Sequence, residues 1–373
     1  MAFWKRSCGL LVLLWVCSGA AWAEVSPDTP NRCADERGKH ILWENDLFAG
    51  KLFGKSDKWY TNGVKFYTSY EKECVSSRLP GFLQDQIEGL RDIQSNGEKT
   101  YTIQTGNVYG QLMFTPKNLT IAAPQPMDRF WGGWLYMGIV AQRQPYVQEK
   151  TKRGELDKSE LETLELDFGV TGPPSAAEQV QRGIHAISNS TMPQGWGNQI
   201  GAEPGIQLNY VRIMRVWKHK GNGDLPHMDF SWHYGGAVGT LFDYVNGGAT
   251  IRVGSKLSDE APNVIESPSI GQFKKTSSAA YFLARLDMKG VAHNTFIDGS
   301  LLRRDPYTSY LSSKAIIPQI TFGGVLEWEH NDGGRQDGTR LSLLFHRRGS
   351  EFRSPAGPGA IFNFATLNVE WDL

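Results

Sequence analysis

Long apolar runs are scarce in this chain. After the first twenty or so residues, no stretch approaches the roughly 18 consecutive apolar residues that a membrane-spanning helix needs. A membrane protein of this sequence would therefore have to be a closed β-barrel, because lipid cannot satisfy unpaired backbone groups. The sequence also lacks a Gly-x-Ser-x-Gly motif, so it offers no nucleophile elbow of the α/β-hydrolase kind.

An excess of positive charge is missing as well. The chain has 39 basic and 39 acidic residues, and nothing in this balance favours binding to nucleic acid. Aromatic residues are plentiful instead, with 12 Trp, 13 Tyr and 18 Phe, and there are 41 Gly. That composition is typical of a β-rich protein with many turns and aromatic girdles.

The N-terminus predicts export. Lys5 and Arg6 precede an apolar run from Leu10 to Val16, and Ala21-Trp22-Ala23 has the small-x-small pattern of a cleavage site. Residues 1–23 are therefore interpreted as a secretory signal peptide. A lipoprotein start at Cys17 is the alternative, although bulky residues precede that cysteine where small ones are expected.

Only four cysteines are present, and two of them would leave with the signal peptide. The remaining pair, Cys33 and Cys74, predicts a single disulfide in an oxidising compartment. A metal site at these cysteines is disfavoured, since neither has a cysteine or histidine partner at ligand spacing.

Alternation of apolar and polar residues is the dominant pattern. At the C-terminus, Leu367, Val369, Trp371 and Leu373 alternate with Asn368, Glu370 and Asp372. The same period of two recurs around residues 163–170, 228–234 and 280–289. This pattern is typical of barrel strands that have lipid on one side and a polar lumen on the other.

About a dozen strands are predicted from this alternation. An all-β fold follows, a transmembrane antiparallel β-barrel of about 12 strands spanning residues 24–373. The alternative is a secreted β-sandwich or lectin-like protein. The predicted strands are residues 39–48, 58–70, 100–109, 129–142, 160–171, 204–217, 227–242, 247–257, 278–292, 316–329, 338–348 and 360–373.

One segment breaks the strand pattern. Residues 176–188 favour a short helix, with Ser175 as the N-cap and Glu178 at the capping-box position. On a helix, Glu178, Gln181 and His185 share one face. A helix with these side chains inside an all-β chain is a candidate part of an active site.

A second polar group lies at the first two strands. Asn45-Asp46 comes at the end of the first strand, and Tyr60-Thr61-Asn62-Gly63 begins the second. Neighbouring antiparallel strands bring such residues together. We expect both this group and the helix face with Gln181 and His185 to point into the barrel.

In these residues the chain resembles the outer-membrane lipid A 3-O-deacylases. The resemblance covers most of the mature chain and depends on the order and spacing of short motifs. These are Asn45-Asp46, Tyr60-Thr61-x-Gly63, Gly172-Pro173, Gln181-x-x-x-His185, Trp196-x-Asn198-Gln199 and Arg348-x-x-Glu351-Phe352.

The resemblance implies a role for each matching residue. His185 is the catalytic base, Asp46 and Asn45 belong to a Ca²⁺ centre, and Thr61 and Gln181 lie beside them. The implied activity is hydrolysis of an ester-linked acyl chain at the 3′ position of lipid A, in the outer membrane of a Gram-negative bacterium, with lipopolysaccharide of the outer leaflet as partner. One position departs from the pattern, because Thr191 stands where a relative carries an acidic residue.

The chemistry is consistent with these residue types. Ester hydrolysis at neutral pH needs a base to activate water and positive charge to stabilise the oxyanion. Imidazole suits the first task because its pKa is about 6.5, and calcium with oxygen ligands suits the second. We therefore expect His185 to deprotonate water, with calcium bound at Asp46.

Two other functions are compatible with the sequence. Ser188 or Ser190, close to His185, could be the nucleophile of an outer-membrane phospholipase. The barrel could also be a pore or structural protein without enzymatic activity. If lipid A is the substrate, Lys117 and Arg129 are candidates for contacts to its phosphates.

Overall fold

The computed structural model describes residues 36–46, 49, 59–70, 100–146, 159–221, 226–257, 278–303, 310–332, 335–357, 359 and 361–372. The predicted signal peptide, Cys33 and Cys74 lie outside these ranges. Neither α-helix of the described chain is long and apolar enough to cross a membrane. In chain order the elements are β1 (Glu36–Asn45), β2 (Trp59–Tyr70), β3 (Thr100–Thr115), β4 (Gly132–Tyr146), β5 (Ser159–Thr171), α1 (Ala177–Ser188), β6 (Pro204–His219), β7 (His227–Gly239), β8 (Phe242–Gly254), β9 (Ala279–Asn294), α2 (Thr295–Asp298), β10 (Ser312–Ser313), β11 (Ile316–Asp332), β12 (Arg335–Arg348), β13 (Phe352–Arg353) and β14 (Phe362–Asp372).

Twelve long strands form one closed antiparallel barrel. Each pairs with its neighbours in the chain, and β1 closes the cylinder against β14. The short strands β10 and β13 pair with each other outside the barrel sheet. The predicted barrel of about 12 strands is confirmed, and the sandwich alternative is wrong.

One end of the barrel, here called the upper rim, is where β1 ends and β2 begins. Because the strands run up and down in order, the connections β3–β4, β5–β6, β9–β11 and β12–β14 also lie at this rim. Helix α1 belongs to the β5–β6 connection and α2 to the β9–β11 connection. The start of β1 and the end of β14 lie at the opposite end of the barrel.

The alternation predicted from sequence sets the two faces of the wall. On β7, Phe230 and Trp232 are 39% and 46% exposed, whereas Asp229 and His233 are buried. Large apolar side chains on the outer face and buried polar ones on the inner face are what lipid and a polar lumen require.

Paired charges fill the lumen. Lys65 Nζ lies 2.5 Å from Glu165, and Arg340 contacts both Glu327 at 2.8 Å and Glu370 at 3.0 Å. All of these side chains are almost completely buried. Pairing offsets the cost of removing each charge from water, so the interior is a packed polar core.

An aromatic cluster closes the lumen at the upper rim. Phe296 and Ile297 of α2 are completely buried, and the Phe296 ring lies 4.2 Å from that of Phe114 on β3. Leu241, in the β7–β8 turn, joins the same cluster. The β9–β11 connection thus folds inward and plugs the barrel.

Candidate active site

Helix α1 begins after a tight corner. Gly172 has a φ of 70°, which glycine tolerates, and Pro173–Ser175 form one 3₁₀ turn. Ser175 donates its hydroxyl to the Gly172 carbonyl at 2.6 Å, and Ala176 is the N-cap without a side-chain hydrogen bond. The predicted helix is right to within one residue. The predicted capping box is wrong because Ser175 is the last residue of the 3₁₀ turn and the N-cap is Ala176.

One stripe of α1 is buried and consists of Ala177, Gln181 and His185. Glu178 does not belong to it, contrary to the sequence prediction. Its carboxylate instead accepts a hydrogen bond from Arg182 at 2.8 Å, on a partly exposed side of the helix. The helix therefore presents an amide and an imidazole to the protein, without a carboxylate beside them.

The buried stripe packs against β3 and β4. A Cβ added to Gly133 would lie only 2.3 Å from Ala177 Cβ, so the helix touches the backbone of β4 at this glycine. Gly133 pairs with Met113 on β3. Met113 is completely buried in one cluster with Leu119, Trp131, Ala177 and Trp196.

Strand register shows that this packing occurs on the outside of the barrel. Asn45, Asn62, Met113 and Gly133 form one row of paired residues across β1 to β4. In the other direction the row continues through Ala365, Phe345, Phe322 and Ala284 to Ile251 and Phe230. Ile251 and Phe230 are about 40% exposed on the outer wall, and paired residues share a face.

The prediction that these groups point into the barrel is therefore wrong. It is Glu44, one residue before Asn45, that faces the lumen, where it accepts hydrogen bonds from Tyr60 at 2.7 Å and Thr366 at 3.1 Å. Asn45 takes the opposite face because side chains alternate along a strand. The site lies on the outer wall, under α1 and its flanking loop.

The β1–β2 group is held by amide hydrogen bonds. Asn45 Nδ2 donates to Asn62 Oδ1 at 3.0 Å, and Trp43 Nε1 donates to the same oxygen at 2.7 Å. Asp46 follows directly after β1 and is 2% exposed. Asn62 belongs to the polar group named from sequence but was given no role there, and it pairs with Asn45 in register.

Thr61 lies in a bulge of β2. The pairing with β3 shifts between Tyr60 and Asn62, and the extra residue places the Thr61 hydroxyl 2.6 Å from that of Thr115. Such bulges redirect a side chain near a strand end. A bulge at Thr61 thus joins β2 to the end of β3.

The imidazole of His185 is oriented by a backbone carbonyl. Its Nδ1 lies 2.5 Å from the carbonyl oxygen of Thr191. A carbonyl can only accept, so Nδ1 carries the hydrogen, and in the neutral ring Nε2 carries the lone pair. The main chain at Thr191 therefore orients the ring where the sequence lacks the expected acidic residue.

Gln181 is fixed by the next motif in the chain. Its Oε1 accepts a hydrogen bond from Trp196 Nε1 at 2.7 Å, which identifies the two ends of the amide. The buried Nε2 has no hydrogen-bond partner in the described part of the chain. Asn198 of the same motif instead holds the β3–β4 loop, since its Nδ2 donates to the Ala122 carbonyl at 2.6 Å.

All five predicted site residues are thus buried at the upper rim, and strand register places Asn45 on the outer face of the wall. Asn45, Asp46 and Thr61 come from β1 and β2, and Gln181 and His185 come from the helix that packs on β3 and β4. The two groups meet at Met113, which pairs with Asn62 and packs beneath α1.

Arg129 is engaged elsewhere, so its predicted contact with lipid phosphates is wrong. Its guanidinium lies 2.5 Å from Glu351 and over the ring of Phe114, and burial lowers its pKa. Glu351 also binds Arg348 at 3.1 Å, so the Arg348-x-x-Glu351 motif ties the β12–β14 connection to the rim. Lys117 is exposed.

The two serines near His185 contact each other. The hydroxyls of Ser188 and Ser190 are 2.8 Å apart at the exposed end of α1. This arrangement gives little support to a serine nucleophile activated by His185.

The donor set suits a hard cation. In the ranges described, no group of three or more His, Cys, Asp or Glu lies close enough to hold a metal. Asp46 carries a carboxylate, Thr61 a hydroxyl and Asn45 an amide whose nitrogen donates to Asn62. Carboxylate, amide and hydroxyl oxygens are ligands that calcium accepts.

Comparison with known proteins agrees with this architecture. Residues 10–373 match the family model described as "Outer membrane protein LpxR". Among solved structures, LpxR from Salmonella typhimurium superposes with a TM-score of 0.65 at 16% identity, covering 90% of this chain and 100% of that one. A bacterial polysaccharide outer membrane secretin aligns over 93% of this chain and 100% of its own with a TM-score of 0.28 at 8% identity. No curated protein sequence matches.

Proposed function

Because the chain belongs to the outer membrane protein LpxR family, we propose that it is a lipid A deacylase that hydrolyses the ester-linked acyl chain at the 3′ position. The observation that carries this proposal is the location of the site. A buried imidazole lies beneath a helix that packs on the outer face of an outer-membrane barrel, and a buried aspartate follows Asn45 of that face at the same rim.

Substrate access follows from that location. Lipid A is a component of the outer leaflet, and its ester bonds lie where the sugar headgroup meets the acyl chains. An enzyme with its site in the lumen would have to draw the lipid out of the membrane. A site on the outer wall at the rim receives the ester sideways, with the acyl chains still in lipid.

His185 serves as the general base. The Thr191 carbonyl holds Nδ1–H, so Nε2 is the atom that takes a proton from water. The resulting hydroxide attacks the ester carbonyl, and the imidazolium then returns its proton to the leaving sugar oxygen. This role is analogous to the histidine of other hydrolases in which a second group fixes the tautomer.

Asp46 and Asn45 would hold calcium, which when bound supplies positive charge that polarises the ester carbonyl. Thr61 braces this group through Thr115. Gln181 contributes its Nε2 as a donor towards the substrate, since Trp196 fixes the amide with this nitrogen unpartnered. Fixed donors are effective because they need no reorganisation during the reaction.

The alternatives have less support. A passive pore is disfavoured by the paired charges in the lumen and by the aromatic cluster around Phe296 at the rim. A serine hydrolase is disfavoured by the mutual hydrogen bond of Ser188 and Ser190 on the exposed end of α1.

The test is mass spectrometry of lipid A from cells that express the protein, from matched cells that do not, and from cells expressing His185→Ala. We expect loss of one acyl unit only with the wild-type protein, and purified protein should lose activity in a calcium chelator. Heat-modifiable migration in gels verifies that the variant barrel has folded. Wild-type deacylation by a folded His185→Ala variant would contradict the proposal.

A further inference from the structure

We propose that Asn62 is a further substrate-binding residue of this site, which donates a hydrogen bond from Nδ2 to the carbonyl oxygen of the ester as that oxygen becomes anionic. The inference rests on the proposed function. It concerns the unspecified position of the Tyr60-Thr61-x-Gly63 motif, to which the resemblance assigns no role.

The orientation of the Asn62 amide is determined by its neighbours. Trp43 Nε1 and Asn45 Nδ2 are both donors, and both point at the same Asn62 atom, at 2.7 and 3.0 Å. That atom must be the oxygen, because a nitrogen of the amide cannot accept. The other branch of the amide is therefore an NH₂ group turned away from β1.

This NH₂ group is buried without a partner. Asn62 is 2% exposed, and its Nδ2 makes no hydrogen bond in the part of the chain that is described. A buried donor left unsatisfied destabilises the fold, and native proteins keep few of them. A ligand that supplies an acceptor on the outer face would satisfy this donor.

The place of Asn62 in the wall identifies that ligand. It stands between Asn45 on β1 and Met113 on β3, and Met113 packs beneath the helix that carries His185. Thr61, its neighbour in the bulge, faces Thr115. An acceptor that reaches Asn62 from the outer side therefore lies beside Asn45 and next to Met113, on which the helix that carries His185 packs.

The acceptor is the ester carbonyl oxygen. When water attacks, its oxygen bonds to the carbonyl carbon, its proton passes to His185, and the C=O electron pair moves onto the oxygen. That oxygen then bears a negative charge until the C–O bond to the sugar breaks and the pair returns. A fixed amide N–H stabilises this intermediate more than it stabilises the neutral ester.

Asn62→Asp and Asn62→Leu separate this role from a structural one. Aspartate keeps an oxygen for Trp43 and Asn45 but has no NH₂ group, whereas leucine has neither. We expect both variants to lose about 100-fold in kcat with little change in KM, as when one oxyanion donor is removed. Only the leucine variant should also need more calcium for half-maximal activity, since it releases Asn45.

The assay measures release of fatty acid from lipid A in mixed micelles by the purified full-length protein, across a calcium titration. A wild-type kcat for Asn62→Asp overturns the proposal and leaves Asn62 as a support for Asn45. If either variant fails to fold, as judged by heat-modifiable migration, the other carries the test, because a wild-type kcat in Asn62→Leu overturns it equally.

Two further variants complete the experiment. Asn107→Asp makes the same change on β3 at a buried amide whose Nδ2 already donates to Tyr70 at 2.7 Å, and it should keep the wild-type kcat. His185→Ala tests the proposed function itself. Full activity in His185→Ala means that the site is wrong, whereas an inactive His185→Ala with an active Asn62→Asp means that only the Asn62 inference is wrong.

Discussion

The contact between Gly133 and α1 offers a sensitive test of the site. In a Gly133→Ala variant the new Cβ would lie 2.2 Å from Ser175 Oγ and 2.3 Å from Ala177 Cβ, whereas ordinary contacts begin at 3.4 Å. The serine hydroxyl can rotate, but the Ala177 methyl is fixed to the helix. Helix α1 must therefore move outward by about 1 Å.

A displacement of this size has a large catalytic effect and a small effect on stability. Misplacement of a catalytic group by about 1 Å can cost on the order of 100-fold in rate. Overpacking at one position costs about 1 to 3 kcal/mol, which a barrel of twelve paired strands should tolerate. We expect Gly133→Ala to lower kcat about 100-fold while the barrel remains folded.

The measurement is the initial rate of fatty-acid release from lipid A, with heat-modifiable migration as the readout of folding. Gly324→Ala is the matched control, because Gly324 also lies in the barrel wall and its added Cβ would meet nothing within 4 Å. That variant should behave as wild type. If Gly133→Ala also keeps the wild-type rate, the helix is not held against β4 in the manner inferred, or His185 does not act from it.

Further predictions concern the reacting groups and the plug. His185→Ala should lower the initial rate of fatty-acid release from lipid A by about 10² to 10⁴-fold, which is the usual contribution of a general base. Asp46→Ala should abolish activity, and in the wild type a chelator should do the same until calcium is restored; full activity in chelator would refute the calcium assignment. The double variant Ser188→Ala/Ser190→Ala should keep full activity and the wild type should resist serine-directed reagents, in contrast to the behaviour of a serine hydrolase. Phe296→Ala should destabilise the protein by about 3 to 5 kcal/mol in denaturant titration, because the completely buried ring is replaced by a cavity.

The barrel could be predicted from sequence because its pattern is local. Alternation with a period of two identifies each strand and each face without knowledge of its partners. All twelve predicted strands correspond to strands of the barrel, with ends that differ by a few residues, most at β3, which runs on to Thr115. Helix α1 was equally accessible, since residues 176–188 interrupt the alternation.

The location of the site could not be predicted in the same way. Whether Asn45 faces lipid or lumen depends on counting from Glu44 and on the bulge at Thr61, and a one-residue error reverses the face. The role of Gly133 depends on contact between β4 and a loop some forty residues later. The Thr191 carbonyl is a main-chain group, so no pattern of side chains in the sequence could predict that it orients His185.

Because α1 packs on the lipid side of the wall, turnover should depend on the concentration of lipid A within the membrane and not on its concentration in bulk solution. An enzyme so placed meets lipid A by diffusion within a two-dimensional layer, and the relevant concentration is the mole fraction of substrate in that layer. Diluting vesicles of fixed composition would then leave the rate per enzyme unchanged, whereas replacing part of their lipid A with inert phospholipid would lower it.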